Sequence, residues 1–473
     1  MNPNRVLEIF KEISTVPRES GFEQPITEWL QKWAESHKLA VKTDEIGNVC
    51  IVREASKGKE NVPTIVLQAH QDMVCEKNDG VDFDFRKDAI RYTVEDGWMI
   101  ARDTTLGADD GIGIAAALAV LESDLPTGRI EAVFTISEET GMDGAEGMKE
   151  GFFTGKTLIN LDSEDEGQLF IGCAGGVNTN VRISFQPEPV DKDLTVLQIR
   201  IGGGIGGHSG DDINKGRMNA VQQMARFLYA EFDYGLQLID FDGGGKHNAI
   251  ARECRAIIAV PRPLATKRRF NRFALDLKEE FHVTDPDIFC RCGETVTRLK
   301  AVDYFSALEL LSSLFTCPHG VQAMSQDIEG LVQTSTNLAA AHRVKRHFEI
   351  TTSQRSPAVS ECRMIAAKVR ANFEAVGAEV RYTNEYPGWN PNPDSHILKL
   401  CVDSYRKLFS REPEVKAIHA GLECGLFLQK FPGLDMISFG PTLRGVHAPG
   451  ERMDLASLDK FVELLNDVVC NFE

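Results

Sequence analysis

Four apolar segments near the start of the chain alternate in the element they favour, and this alternation restricts the fold more than any other feature. TIVLQAHQDMV (64–74) is a short run rich in β-branched residues, and GIGIAAALAVLE (111–122) reads as a buried helix. IEAVFTISEE (130–139) reads as a strand, and TLINLDSEDEG (157–167) as a strand running into an acidic turn. Residues 3–15 and 23–37 carry helical apolar spacing ahead of them. The pattern predicts an α/β fold, a mixed, mostly parallel sheet with flanking helices.

With 473 residues the chain exceeds one ordinary hydrophobic core. After about residue 186 the texture changes. DLTVLQIRI, HNAIARECRAIIAV and HRVKRHFEITTS are alternating strand patterns separated by helices such as NAVQQMARFLYAEF. KHNAIARECRAIIAVP and STNLAAAHRVKRHFEITT read as equivalent segments of a β-α-β unit used twice. GWNPNPDSH (388–396) then reads as a linker. Beyond it a helix (395–409), strands in AIHAGLECG and DMISFGP, and a terminal helix (454–470) restore the first texture. We therefore expect residues 1–185 and 389–473 to form one catalytic domain, interrupted by an inserted α+β lid domain at 186–388.

The 52 Lys+Arg against 70 Asp+Glu give a formal charge of −18, which repels phosphate and excludes nucleic acid as a favoured partner. The N-terminal residues lack the apolar centre of a signal peptide, and no stretch approaches the ~20 apolar residues of a membrane span. The 11 cysteines contain no C-x-x-C pair. Reduced thiols in a cytoplasmic protein are the expectation.

His70 and Asp72 are two apart on an extended run, so their side chains project from one face. His70, Glu138, Glu139 and Asp162 all fall at the ends of predicted strands, where ligands collect in parallel α/β sheets. Singly, each has a structural reading. His70 can be a core histidine bonded to Asp72, Asp109 and Asp110 can cap the helix beginning near Gly111, and SEETG and LDSED can be solvated turns. Together they cannot converge in a buried site without cations.

HQD, GADDG, SEETG, LDSED and a late GVHAPGE occur in the order found in the co-catalytic di-zinc peptidases, which include carnosinases, aminoacylases and bacterial di- and tripeptidases. Within that family the chain looks most like the aminoacyl-histidine dipeptidases. The resemblance implies two Zn2+ per subunit, one held by His70, Asp109 and Asp162 and the other by Asp109, Glu139 and His447, with Asp109 as the bridge. Imidazole and carboxylate ligands suit zinc, and Mn2+ or Co2+ can substitute. The resemblance further implies that Asp72 accepts a hydrogen bond from the far nitrogen of His70 and that a cis peptide joins Asp109 to Asp110. It makes Glu138 the general base for a zinc-bound water. On extended backbone, Glu138 and Glu139 would point apart and divide these roles.

RIGGGIGGHSG contains G-x-G-x-x-G at Gly202, Gly204 and Gly207, but no helix begins until near Asn219, which argues against a dinucleotide. GGHSGDDINKGRMNA instead resembles the family's lid motif, implying that His208 donates to the developing oxyanion, with Asn219 in the substrate pocket. A surface histidine in a glycine loop is the plain alternative. Arg355 is a candidate clamp for the substrate carboxylate, against a solvated strand edge. Glu423 is a candidate for the substrate's free amine, against a helix cap or buried salt bridge. His247 and His419 are read as structural.

The implied reaction is hydrolysis of a small peptide, a dipeptide of the Xaa-His, carnosine-like class, with lid closure excluding water. The rivals are a related amidohydrolase acting on N-acyl amino acids or tripeptides, and a non-catalytic metal-binding protein. Relatives use the insert either to form a homodimer or, when it is enlarged and duplicated, to complete the cleft within one subunit; at roughly 200 residues this insert can hold two such units.

Overall fold

The computed structural model describes residues 1–326, 328–419 and 421–473, which form two compact units. Unit 1 comprises Met1–Cys173, Trp389–Ala417 and Leu422–Glu473; unit 2 comprises Ala174–Gly388 and Ile418–Gly421. The first crossing thus lies at Cys173/Ala174 and not at 185/186. Strand Gly175–Ser184 belongs to the insert because it pairs along both edges with other insert strands.

Unit 1 is built on an eight-stranded sheet. Strand Ile65–His70 lies at its centre, parallel to Ile130–Thr135 on one side and Thr157–Asn160 on the other, with Asp435–Ser438 continuing the parallel set. Outside this centre the sheet turns antiparallel, as Val49–Arg53 against Ile130–Thr135 and Asp435–Ser438 against Gln168–Cys173. The parallel set is therefore confined to the middle of a mixed sheet. The three central strands are buried along their whole length, which accounts for their unbroken apolar runs.

Helix Ala108–Glu122 is buried from Asp110 to Leu121 because it lies between strand Ile65–His70 and helix Pro3–Ile13. A helix covered on all sides needs no polar face, and each Leu, Ile or Val it buries contributes roughly 1.5–3 kcal/mol. In register His70 pairs with Thr135, and Gln68 with Asn160. Residues 71–72, 136–139 and 161–162 therefore leave the sheet at one edge. A small sheet of Thr93–Glu95, Trp98–Ile100, Arg452–Asp454 and Leu443–Arg444 holds the loop that carries His447.

The segment AIHAGLECG is not one strand. Strand Glu414–Ile418 ends before it is half traversed and helix Glu423–Lys430 begins within it, while Ala420 lies outside the described residues.

Unit 2 holds a nine-stranded sheet with a repeat inside it. Strands Thr195–Gly202, Gln237–Gly244, Cys254–Val260 and Phe289–Glu294 lie side by side in the order fourth, first, third, second. Helices Ala220–Phe232 and Pro263–Glu280 follow the first and third. Strands Gly175–Ser184, Val332–Val344, His347–Ser356 and Glu379–Tyr386 take the same order, with helices Tyr304–Thr316 and Val359–Glu374 in the same places. The first βαββαβ unit is inserted whole between the first strand and first helix of the second. The two join through their second strands, Asp242 opposite His342 and Gly243 opposite Ala341. The two segments read as equivalent in sequence fall at corresponding connections between second and third strands.

Candidate metal centre

The strand-edge residues of unit 1 converge. His70 is 1% exposed, and its Nε2 lies 3.0 Å from Asp109 Oδ1 and 3.5 Å from Asp162 Oδ1. On the other side of the same aspartate, His447 Nε2 lies 3.1 Å from Asp109 Oδ2 and 3.0 Å from Glu139 Oε2. Asp109 thus turns one oxygen toward each of two imidazoles. The peptide between Asp109 and Asp110 is cis.

Asp110 is also near, its carboxylate grouping with His70 and Asp162 within 4.8 Å as Asp109 does with His70 and Glu139. Its oxygens are otherwise engaged. They accept from the backbone amides of His70 at 3.3 Å and Gly113 at 3.1 Å, so Asp110 caps the helix while Asp109 faces the cluster.

Asp72 serves more partners than the sequence suggests. The nearest acceptor for His70 Nδ1 is the Asp72 carbonyl at 3.1 Å, with the carboxylate at 3.4 Å. The carboxylate itself accepts from Ser20 Oγ at 2.8 Å and from the amides of Glu138 and Glu139 at 3.1 and 3.2 Å. Those amides are free because Glu138–Gly141 forms a short helical turn after the left-handed Ser137, and not extended backbone. Consecutive helical side chains still diverge, by roughly 100°, so the two glutamates still face different ways.

The charges depend on one another. Burial opposes charge at His70, but Asp162 and Asp109 outweigh it and raise the pKa well above the ordinary imidazole value. Burial likewise opposes charge at Asp109, yet its contacts with His447 and His70 hold it low. Hydrogen bonds to Asp109 and Glu139 push His447 up to about 11, and burial raises Glu138 to about 8. Burial also pushes Asp162 well above the carboxylate range. Glu139 Oε1 is buried without a hydrogen-bond partner among the described residues. An imidazole and carboxylate donor set with an orphaned buried oxygen fits divalent cations, which supply positive charge where protons otherwise must.

Glu423, 1% exposed, lies in the floor of unit 1. Its Oε2 accepts from Gln68 Nε2 at 2.6 Å and Thr135 Oγ1 at 2.8 Å, while Oε1 has no partner among the described residues. Burial lifts it to about 7. Glu423 starts its helix but makes no salt bridge among the described residues.

The remaining candidates are in unit 2. Electrostatics link His208 and Arg355 through His247 and His419, both of which they hold below the usual histidine value after burial has lowered it. His208 Nδ1 is 3.3 Å from Asp211 Oδ2, and Arg355 donates to Tyr386 Oη at 3.0 Å. His419, read as structural, donates or accepts at Ser335 Oγ, 2.7 Å away. Asn219 caps helix Ala220–Phe232 through Oδ1, and its Nδ2 donates to the Leu338 carbonyl at 2.8 Å.

Sequence reasoning passed over Arg18 and Glu451. Glu451 ends the GVHAPGE motif and accepts from three backbone amides ahead of Asp109; its place in the motif was the available signal. Arg18 carries no such signal.

Residues 66–471 match Peptidase family M20/M25/M40. The chain belongs to this family. Within it, the cytosol non-specific dipeptidase of Escherichia coli (strain K12) is 35% identical over 474 residues, 99% of this chain and 98% of that protein. The crystal structure of aminoacylhistidine dipeptidase from Vibrio alginolyticus superposes with a TM-score of 0.94 at 35% identity, covering 100% of this chain and 97% of that one. Aminopeptidase PepT from Bacillus cereus ATCC 10987 shares the fold, with a TM-score of 0.59 at 18% identity over 99% and 98% of the two chains. As an M20 peptidase the chain is a metal-dependent hydrolase, with the mixed α/β architecture of that family.

Proposed function

We propose that the chain hydrolyses dipeptides with a free N-terminus, including Xaa-His dipeptides, in the cytoplasm, and that its centre holds two Zn2+ ions. His70, Asp109 and Asp162 would hold one ion, and Asp109, Glu139 and His447 the other. The observation that carries this reading is the pair of Asp109 oxygens turned toward His70 and His447. Zinc bound there supplies a polarised carbonyl and water acidified toward neutrality.

The chain's own residues do the rest. Glu138, on the turn held by Asp72, takes the proton of the attacking water and returns it to the departing amine. Asp72 holds the turn that aims Glu138 and fixes the His70 ring. Glu423, with an unsatisfied buried oxygen, receives the substrate ammonium. In unit 2, Arg355 takes the terminal carboxylate and His208 hydrogen-bonds the oxyanion.

The name of the E. coli relative favours a broad dipeptide range, and that of the Vibrio relative favours C-terminal histidine. The 11 free cysteines suit a reducing compartment, and no helix is long and apolar enough to cross a membrane among the described residues. The duplicated insert supports a subunit sufficient by itself over an obligate homodimer. The test is Glu138→Gln assayed for zinc content and for release of amino acids from unblocked, N-acylated and tripeptide substrates. The expected variant keeps zinc and loses turnover, and the wild type prefers unblocked dipeptides; an active variant, or preference for acylated substrates, overturns the reading.

A further inference from the structure

The loop before Asp109 is gripped from two sides by opposite charges whose hydrogen bonds go to backbone atoms and not to the side chains of the cluster. Glu451, 2% exposed, accepts from the amides of Leu106, Gly107 and Ala108 at 2.7, 3.0 and 2.8 Å. Arg18, 3% exposed, donates to the Gly107 carbonyl, and also to the carbonyls of Gln71 and Asp72 at 3.3 and 2.8 Å. Gly107 therefore gives its N–H to the carboxylate and its C=O to the guanidinium. It has a positive φ of 68°, and a Cβ built there would lie 2.5 Å from Arg18 Nη2, so only glycine admits this approach.

The partners of these two side chains define what they connect. Arg18 joins the turn after His70 to the loop before Asp109. Glu451 joins that same loop to the segment that carries His447, four residues upstream of it. Three stretches of chain far apart in sequence, each bearing one residue of the cluster, are thereby tied to one another through main-chain atoms. A buried guanidinium and a buried carboxylate are poor sources of stability, because desolvation consumes most of what their bonds return. Their value lies in geometry. Five fixed N–H donors in one plane can hold two carbonyl-bearing segments at a set separation, which a lysine cannot do.

We propose that Arg18 and Glu451 are positioning residues that set the distance between the His70 and His447 sides of the metal centre by clamping the loop that delivers Asp109. The inference rests on the two-metal reading above. Both side chains hydrogen-bond backbone atoms of this loop, and Arg18 those of the turn after His70 as well, so their grip is on Gly107 and the backbone on either side.

The test compares Arg18→Lys and Glu451→Gln with the wild-type full chain, loading each with Zn2+ against a chromophoric chelator and with Co2+ for its visible absorption spectrum, alongside thermal melting and a kcat and KM for one dipeptide. Outer hydrogen-bond partners of metal ligands typically change affinity about 10–100-fold. The expected result is metal binding weakened by that factor in both variants, a changed Co2+ spectrum, and a lower kcat at unaltered KM. Wild-type affinity and spectrum in a folded Arg18→Lys overturns the proposal. If Arg18→Lys does not fold, Glu451→Gln decides by the same criteria. A wild-type chain that binds no Zn2+ overturns the two-metal reading instead, so the two failures are distinguishable.

Discussion

Replacing Asp72 with asparagine separates its two roles at the centre. The carboxylate accepts from the amides of Glu138 and Glu139, one on each oxygen, and from Ser20. Asparagine has one oxygen, so one amide is left facing an NH2 group. Ser20 can reverse its hydroxyl and accept, but a backbone N–H cannot. A hydrogen bond to a charged group contributes roughly 1.5–3 kcal/mol, and converting the surviving bond from charged to neutral costs about 1 kcal/mol more. The loss is therefore about 2.5–4 kcal/mol, which at about 2–4 °C per kcal/mol corresponds to a melting point lower by roughly 5–16 °C. The same change releases the charge beside His70 Nδ1 and loosens the turn that presents Glu139. Metal affinity should fall about 10–100-fold. Calorimetric melting with and without metal, together with chelator competition, reads both effects. A variant with a lowered melting point but wild-type metal affinity refutes the positioning role; a variant unchanged in both refutes the hydrogen-bond accounting as well.

Chelation should lower the melting temperature of the metal-loaded protein and readdition of Zn2+ restore it, because a ligand at about 100 times its Kd stabilises by about 2.7 kcal/mol; a melting curve indifferent to chelator excludes a structural share for the ions. Arg355→Met should raise KM for free dipeptides about tenfold or more while leaving C-terminally amidated dipeptides unaffected, and an equal effect on both removes Arg355 from carboxylate recognition. His419 is held neutral by burial and by Arg355, with its pKa lowered to about 3. Its contribution to stability is whole above the unfolded value near 6.5 and is lost as pH falls toward 3, since only the unfolded chain takes up the proton, with a slope of up to about 1.4 kcal/mol per pH unit. Melting of wild type and His419→Gln between pH 7 and 4 should show this extra slope in the wild type alone; parallel curves refute it.

The parallel core was legible because each strand is a continuous apolar run that ends on a polar residue, and the helix of residues 111–122 because nothing in it could face water. The cluster was legible from the coincidence of His70, Glu138, Glu139 and Asp162 with strand ends, and Asp109 and His447 from motif order. The backbone at Glu138 was misjudged because a four-residue turn capped by a distant carboxylate, Asp72, leaves no local periodicity. The domain crossing was placed late because strand Gly175–Ser184 follows strand Gln168–Cys173 after a single residue, with no linker composition to mark the change; only its partners distinguish it. Arg18 escaped because it lies in a loop and bonds carbonyl oxygens, which every residue possesses and no sequence pattern marks.

The nested pair of βαββαβ units in the insert has a further consequence. Where two identical chains pair edge to edge, every substitution appears on both sides of the axis, and dilution can part them. Here the seam from Asp242 to His342 joins two lengths of one polypeptide, so their effective concentration is fixed by covalent tethering. Each half is then at liberty to diverge. One carries a glycine-rich loop with His208 and the other a strand ending near Arg355, an asymmetry denied to a symmetric assembly.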